Sequence, residues 1–168
     1  VKPIQSSLGC DVEWDYQACG LRAQFTLRVG EVPLTESKTF YANHFDDLNV
    51  TDEAILAEYR RAMDFAKRAV PVKPGQYPVI LSPEVAGVFA HESFGHKSES
   101  DFMLGDESMM KEWAMGTKVA SDLLSIYDDG AEMGSGYLPY DDEGTRKVRS
   151  WLIRDGVLAG RLHSAATA

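Results

Sequence analysis

His91-Glu92-Ser93-Phe94-Gly95-His96 sets two imidazoles around a carboxylate, and how this stretch winds decides what the chain can build. In a helical His-Glu-x-x-His the histidines lie four residues apart on one face and bind zinc, while the glutamate serves as general base. Here the step is five. At about 100° per residue, a four-residue step returns the second ring to roughly 40° from the first, whereas a five-residue step leaves it roughly 140° away. A one-residue bulge removes the problem, because an i→i+5 turn makes the longer step behave like the shorter one, and such bulges gather at functional sites. The spacing therefore predicts a distorted helix over about Ser93 to His96, with Gly95 taking up the distortion and Glu92 falling between the two histidines in angle.

The residues before it frame the motif. Tyr77-Pro78-Val79-Ile80-Leu81 reads as a short buried strand, followed by Ser82 as N-cap, Pro83 in the first helical position and Glu84 near the positive helix end. Val85, Ala86 and Phe89 form an apolar face, and Gly87 is read as a point of close approach for another element.

Further out, Gln24 to Val29 alternates with period two, Gly30 to Thr35 reads as a turn, and Ser37 to Ala42 as the returning strand. Thr51-Asp52-Glu53 opens a helix whose stripe is Ile55, Leu56, Tyr59, Met63, Ala66 and Val70. The opposite face carries Glu58, Arg61, Asp64, Lys67 and Arg68 and reads as solvated. Pro71-Val72-Lys73-Pro74-Gly75 is the expected boundary between an α+β module over residues 1–75 and a second module over 76–168. In the second, Leu123 to Tyr127 reads as a strand, and Asp155-Gly156 between two apolar runs is a two-residue hairpin signal. Met103, Met109, Met110 and Met115 either fill a core or form a surface that touches peptide. Asp141-Asp142-Glu143-Gly144-Thr145 lacks the alternate-position ligands of a calcium loop and reads as a turn. The whole is an α+β fold, with mixed helices and mainly antiparallel sheet.

Composition narrows the function. A net charge of -9 over 168 residues, with no run of Lys and Arg, argues against direct nucleic-acid binding. No apolar stretch approaches the length of a membrane span. The two cysteines, Cys10 and Cys19, make no disulfide framework, and reduced thiols in a cytoplasmic protein are the expectation.

Several motifs in order resemble the TldD/PmbA metallopeptidases, the family once described as modulators of DNA gyrase. Val79 to Pro83 resembles the family's strand before its metal helix, His91 to His96 its HExxxH motif, and Ser98-Glu99-Ser100-Asp101 the acidic segment after it. Ile126 to Gly130, Asp141 to Thr145 and Leu152 to Leu158 are similar to later landmarks. The resemblance covers roughly residues 71–168. It implies a zinc-dependent metallopeptidase of the cytoplasm acting on peptides or unfolded polypeptides, assembled from a catalytic subunit and a paralogous partner, or as a homodimer. By this analogy His91 and His96 are zinc ligands, and Glu92 is the base that deprotonates the metal-bound water. Glu99 and Asp101 are reserves, as an extra ligand or as groups that orient one. The family draws a third ligand, a cysteine, from far toward its C-terminus, and neither Cys10 nor Cys19 matches it. His163 and His44 are weighed and set aside as ligands.

The chain starts Val1-Lys2-Pro3 and stops at Ala168, and the expectation is a piece of a larger enzyme, active alone or not. The alternative function is a non-catalytic binding or assembly module whose metal site is incomplete. Bound zinc that depends on His91 and His96 separates the two.

Overall fold

The computed structural model describes residues 1–168, apart from the side chain of Val32. Two compact units form: residues 1–14, 78–132 and 136–168 make one, and residues 15–77 with 133–135 the other. Residues 1–14 open the first with an antiparallel hairpin of β1 (Lys2–Gln5) and β2 (Asp11–Trp14), paired Lys2 to Trp14 through Gln5 to Asp11. Trp14 is buried and tilts against Tyr140, ring centroids 5.6 Å apart.

The second unit is a long hairpin carrying one helix. β3 (Cys19–Val29) and β4 (Val32–Ala42) pair in full register from Cys19 opposite Ala42 to Val29 opposite Val32. The predicted turn over Gly30 to Thr35 shrinks to Gly30-Glu31, because Gly30 at φ +74° supplies a two-residue turn by itself and the strand resumes at once. The expected period-two alternation is visible at the inward positions Ala23, Phe25 and Leu27. α1 (Asp52–Arg68) is capped by Thr51, whose side chain accepts from the Ala54 amide at 3.1 Å. Ala62, 1% exposed, is its most buried residue, and Tyr59 meets Phe25 edge to face at 5.8 Å. The stripe is thus narrower than its sequence suggests: Leu56 and Val70 are exposed. Glu58 departs from the expected solvated face, half-buried and hydrogen-bonded to Arg61.

In the first unit, α2 (Pro83–Ala90) leads into the motif, α3 (Glu107–Glu112) follows it, and β5 (Ile126–Asp128), β6 (Ser150–Arg154) and β7 (Val157–Leu158) form an antiparallel sheet in the order β5-β6-β7. Asp155 and Gly156 both have positive φ, +50° and +75°, as a type I′ turn demands. Ile153 and Leu158 are closed to solvent and pack with Met103 and Trp113; Phe94, Met109, Val119 and Ile126 lie against them. Two methionines therefore fill core, while Met110 and Met115 are about half exposed. The Asp141 turn is a surface turn, its Oδ1 accepting from the amides of Glu143 and Thr145 at 3.0 and 2.8 Å.

Two sequence expectations fail beside α2. Tyr77 to Leu81 is neither a strand nor buried: Ile80 is fully exposed and Val79 70% exposed. An extended run becomes a strand only with a neighbour to take its amides, and among the described residues none lies alongside. Gly87 has no atom of another element within 4 Å of where its Cβ would stand, so it allows no close approach here. Among the described residues no helix is long and apolar enough to cross a membrane.

Candidate metal centre

α2 starts where its residues dictate. Ser82 accepts from the Val85 amide at 3.4 Å, Pro83 occupies the first turn, and Glu84 sits by the helix's positive end. After Ala90 the winding loosens into a π turn over His91–Gly95, closed by the His96 amide donating to the His91 carbonyl. This is the i→i+5 bond that the five-residue spacing calls for, and it joins the two histidines themselves. Their rings consequently meet at 4.4 Å between centroids and 67° between planes.

One ligand atom each from His91, Glu92 and His96 lie within 4.8 Å of one another. His96 Nε2 is 4.0 Å from Glu92 Oε2. The group faces solvent, the His96 side chain 45% and that of Glu92 65% exposed.

Gly95 shares in the distortion, but nothing there requires a glycine. Its φ of -58° and ψ of -59° suit any residue, and an added Cβ would meet only the Ala90 carbonyl at 3.7 Å and His91 Nδ1 at 3.8 Å, both ordinary contacts. The wider turn instead comes from small steepening of ψ, to -55° at His91 and -59° at Gly95, against about -42° in a regular α-helix.

Below the rings the turn is tied down. Phe94 reaches the core against Trp113, centroids 6.4 Å apart. Ser98 is fully buried, its hydroxyl donating to the Phe94 carbonyl at 2.8 Å. Leu162 then pairs with the segment as a parallel bridge: its amide donates to the Ser98 carbonyl at 2.8 Å and its carbonyl accepts from the Ser100 amide at 2.9 Å. Phe102 presents an edge to the His96 ring at 6.2 Å.

The reserve residues separate. Glu99 Oε1 lies 2.7 Å from His96 Nδ1. Asp101 instead turns to its own neighbourhood, accepting from the Phe102 amide at 3.1 Å. His163 has both ring nitrogens engaged, Nδ1 with the Thr167 carbonyl at 2.8 Å and Nε2 with the Ser100 hydroxyl at 3.2 Å. His44 is in the other unit, 3.3 Å from Gln17 Oε1. Cys10 and Cys19 are free thiols, pointed at the carbonyls of Ile4 and Ala42. Neither joins the histidine pair among the described residues.

Residues 74–168 match the family model of the PmbA/TldA metallopeptidase C-terminal domain. A metalloprotease of Methanocaldococcus jannaschii is 41% identical over 114 residues, 67% of this chain and 25% of that protein. A zinc metalloprotease TldD homolog of Saccharolobus solfataricus is 31% identical over 162 residues, 94% of this chain and 35% of that protein. Among solved structures, a Thermotoga maritima protein described as a modulator of a DNA gyrase superposes with a TM-score of 0.74 at 27% identity, over 96% of this chain and 37% of that one. TldE from Thermococcus kodakarensis shares the fold, with a TM-score of 0.61 at 24% identity over 93% of this chain and 35% of that one. The fold and the motif define a metallopeptidase-type domain. The chain belongs to the TldD/PmbA family. It spans between 25% and 39% of the length of the first three curated relatives it matches.

Proposed function

We propose that this chain carries the water-activating part of a zinc-dependent peptidase that hydrolyses peptides or unfolded polypeptides. The carrying observation is the convergence of ligand atoms from His91, Glu92 and His96 within 4.8 Å on one π turn. Two imidazole nitrogens beside a carboxylate, on an open face, suit zinc's tetrahedral preference with a position left for substrate. His91 and His96 would hold the ion. A third protein ligand would come from outside these 168 residues or from a partner. Bound zinc would act as a Lewis acid, polarising the peptide carbonyl and bringing the pKa of water near 7. Glu92 accepts the proton of the attacking water and returns it to the leaving amine nitrogen. An extended peptide would be held by strand addition at a sheet edge. The chain would contribute to two modules that part near residue 77, with residues 1–14 belonging to the later one rather than to the earlier as the sequence suggested, and a paralogous TldD/PmbA-type subunit or a second copy would complete the enzyme, in the cytoplasm.

Zinc stoichiometry by elemental analysis tests the reading, on the purified chain beside a His91→Ala, His96→Ala double variant at near-neutral pH. Close to one zinc per chain, lost in the double variant, supports it. No zinc in either removes the metal role of this pair in the chain and favours a binding or assembly module. Where hydrolysis of a labelled unstructured polypeptide is measurable, Glu92→Gln lowers its rate by about 10²- to 10⁴-fold and leaves the zinc in place.

A further inference from the structure

We infer that Glu99 is a positioning residue for this centre: its carboxylate holds the His96 imidazole in the Nδ1–H form and turns Nε2 toward His91 and Glu92. The inference rests on the metal reading above. An ionised carboxylate can only accept, so the 2.7 Å contact between Glu99 Oε1 and His96 Nδ1 requires the proton on Nδ1. That length is at the short end for charge-assisted N–H···O bonds. In the neutral ring Nε2 then carries the lone pair, and Nε2 is the atom that sits 4.0 Å from Glu92. A free neutral imidazole favours the Nε2–H form, so an Nδ1–H ring held in one orientation needs a partner to impose it.

Glu99 is well placed to impose both. Its amide donates to the His96 carbonyl at 3.3 Å, and the residues on either side of it are each hydrogen-bonded to Leu162. With Ser98 fully buried beneath, the backbone that carries the carboxylate is fixed on the core and only side-chain torsions are free. The same geometry argues against Glu99 as a ligand, since it engages the ring nitrogen on the far side from Nε2. Asp101 is the other acid of the segment, and its Oδ1 bond to the Phe102 amide gives it no such hold on His96.

The test needs no catalysis. Long-range ¹H–¹⁵N spectra of the imidazoles in the metal-free protein, at about pH 8 and so above the ordinary histidine pKa of about 6.5, read the tautomer directly. His96 is expected as Nδ1–H in the wild type, and Glu99→Ala is expected to shift it toward Nε2–H. Competition with a chromophoric chelator then reads zinc affinity, expected to fall by about 10- to 100-fold in Glu99→Ala. Nε2–H in the wild type overturns the inference, as does zinc affinity unchanged within about twofold in a folded Glu99→Ala protein. Should that variant not fold, Glu99→Gln keeps the shape and drops the charge; it should still weaken zinc by at least about threefold, and no change would overturn the proposal. A wild type that binds no zinc sinks the metal reading, while the tautomer still decides what Glu99 does.

Discussion

Gly156→Ala should destabilise the β6–β7 turn far more than loss of a surface glycine normally does. The residue has φ +75°, and a Cβ built on it would lie 2.4 Å from the Ala120 carbonyl oxygen and 2.5 Å from that of Ser121. Moving away is obstructed, because the Gly156 amide donates to the Leu124 carbonyl at 2.8 Å while its own carbonyl accepts from Val119 and Ala120 at 2.8 and 3.1 Å. A left-handed conformation costs an L-residue roughly 1–2 kcal/mol, and forcing atoms into an occupied site roughly 1–3 kcal/mol. Together about 2–5 kcal/mol is lost, from a total stability on the order of 5–15 kcal/mol. At about 2–4 °C per kcal/mol for a chain of this size, the midpoint should fall by about 4–20 °C. Thermal unfolding followed by near-ultraviolet circular dichroism measures this, since Trp113 and Trp151 lie in the same unit. Asp155→Asn is the control, because asparagine tolerates the left-handed region and should shift the midpoint little. A Gly156→Ala midpoint within about 2 °C of wild type would refute the steric argument.

Gly95→Ala should do the opposite. With helical dihedrals and ordinary contacts awaiting the new Cβ, replacing glycine in a helix interior is expected to raise stability by up to about 1 kcal/mol and leave the zinc content as it was; a lower melting temperature would show that the turn depends on glycine after all. A third prediction concerns acid. Hydrogen bonding from Arg61 holds the Glu58 carboxyl below its usual range, with burial opposing. Its folded-state pKa is thus depressed, so its contribution to stability is complete above the unfolded value of about 4.3 and disappears as pH falls through the folded one. Glu58→Gln should therefore lower stability at neutral pH and flatten the acid limb of a stability-against-pH curve; parallel curves for the two proteins would rule the pair out.

What could be read from the sequence was local. The five-residue step between His91 and His96 demanded an i→i+5 closure, and the structure makes it at those two residues. Ser82, Thr51 and the Asp155-Gly156 pair act within a few residues of themselves, and they occur where their chemistry puts them. Gly95 does take part in the turn, but through a ψ open to any residue, and a sequence does not show that glycine's freedom goes unused. Tyr77 to Leu81 has a strand's composition, but strand formation depends on a neighbour that periodicity does not report. The β1–β2 hairpin was missed for want of a strong turn signal. α3 was missed too, although Asp106, whose side chain accepts from the Met109 amide at 2.9 Å, offered a legible N-cap. At the centre itself, the sequence offered Glu99 and Asp101 as equals. Only the fold distinguishes them, by aiming one at His96 and the other at its own backbone.

The stitch between the π turn and the chain's later part also sets an order of events during synthesis. Ser100 and His163 are partners 63 residues apart, and Leu162 beside them closes the bridge on Ser98 and Ser100. At roughly 5–20 residues per second of translation, His96 emerges from the ribosome roughly 3–13 seconds before Leu162, whose bridge locks the segment. During that interval His91 and His96 are neighbours in sequence without a frame to aim them. In the zinc reading proposed above, loading would then be a late step, gated by arrival of Leu162 rather than by exposure of the ligands.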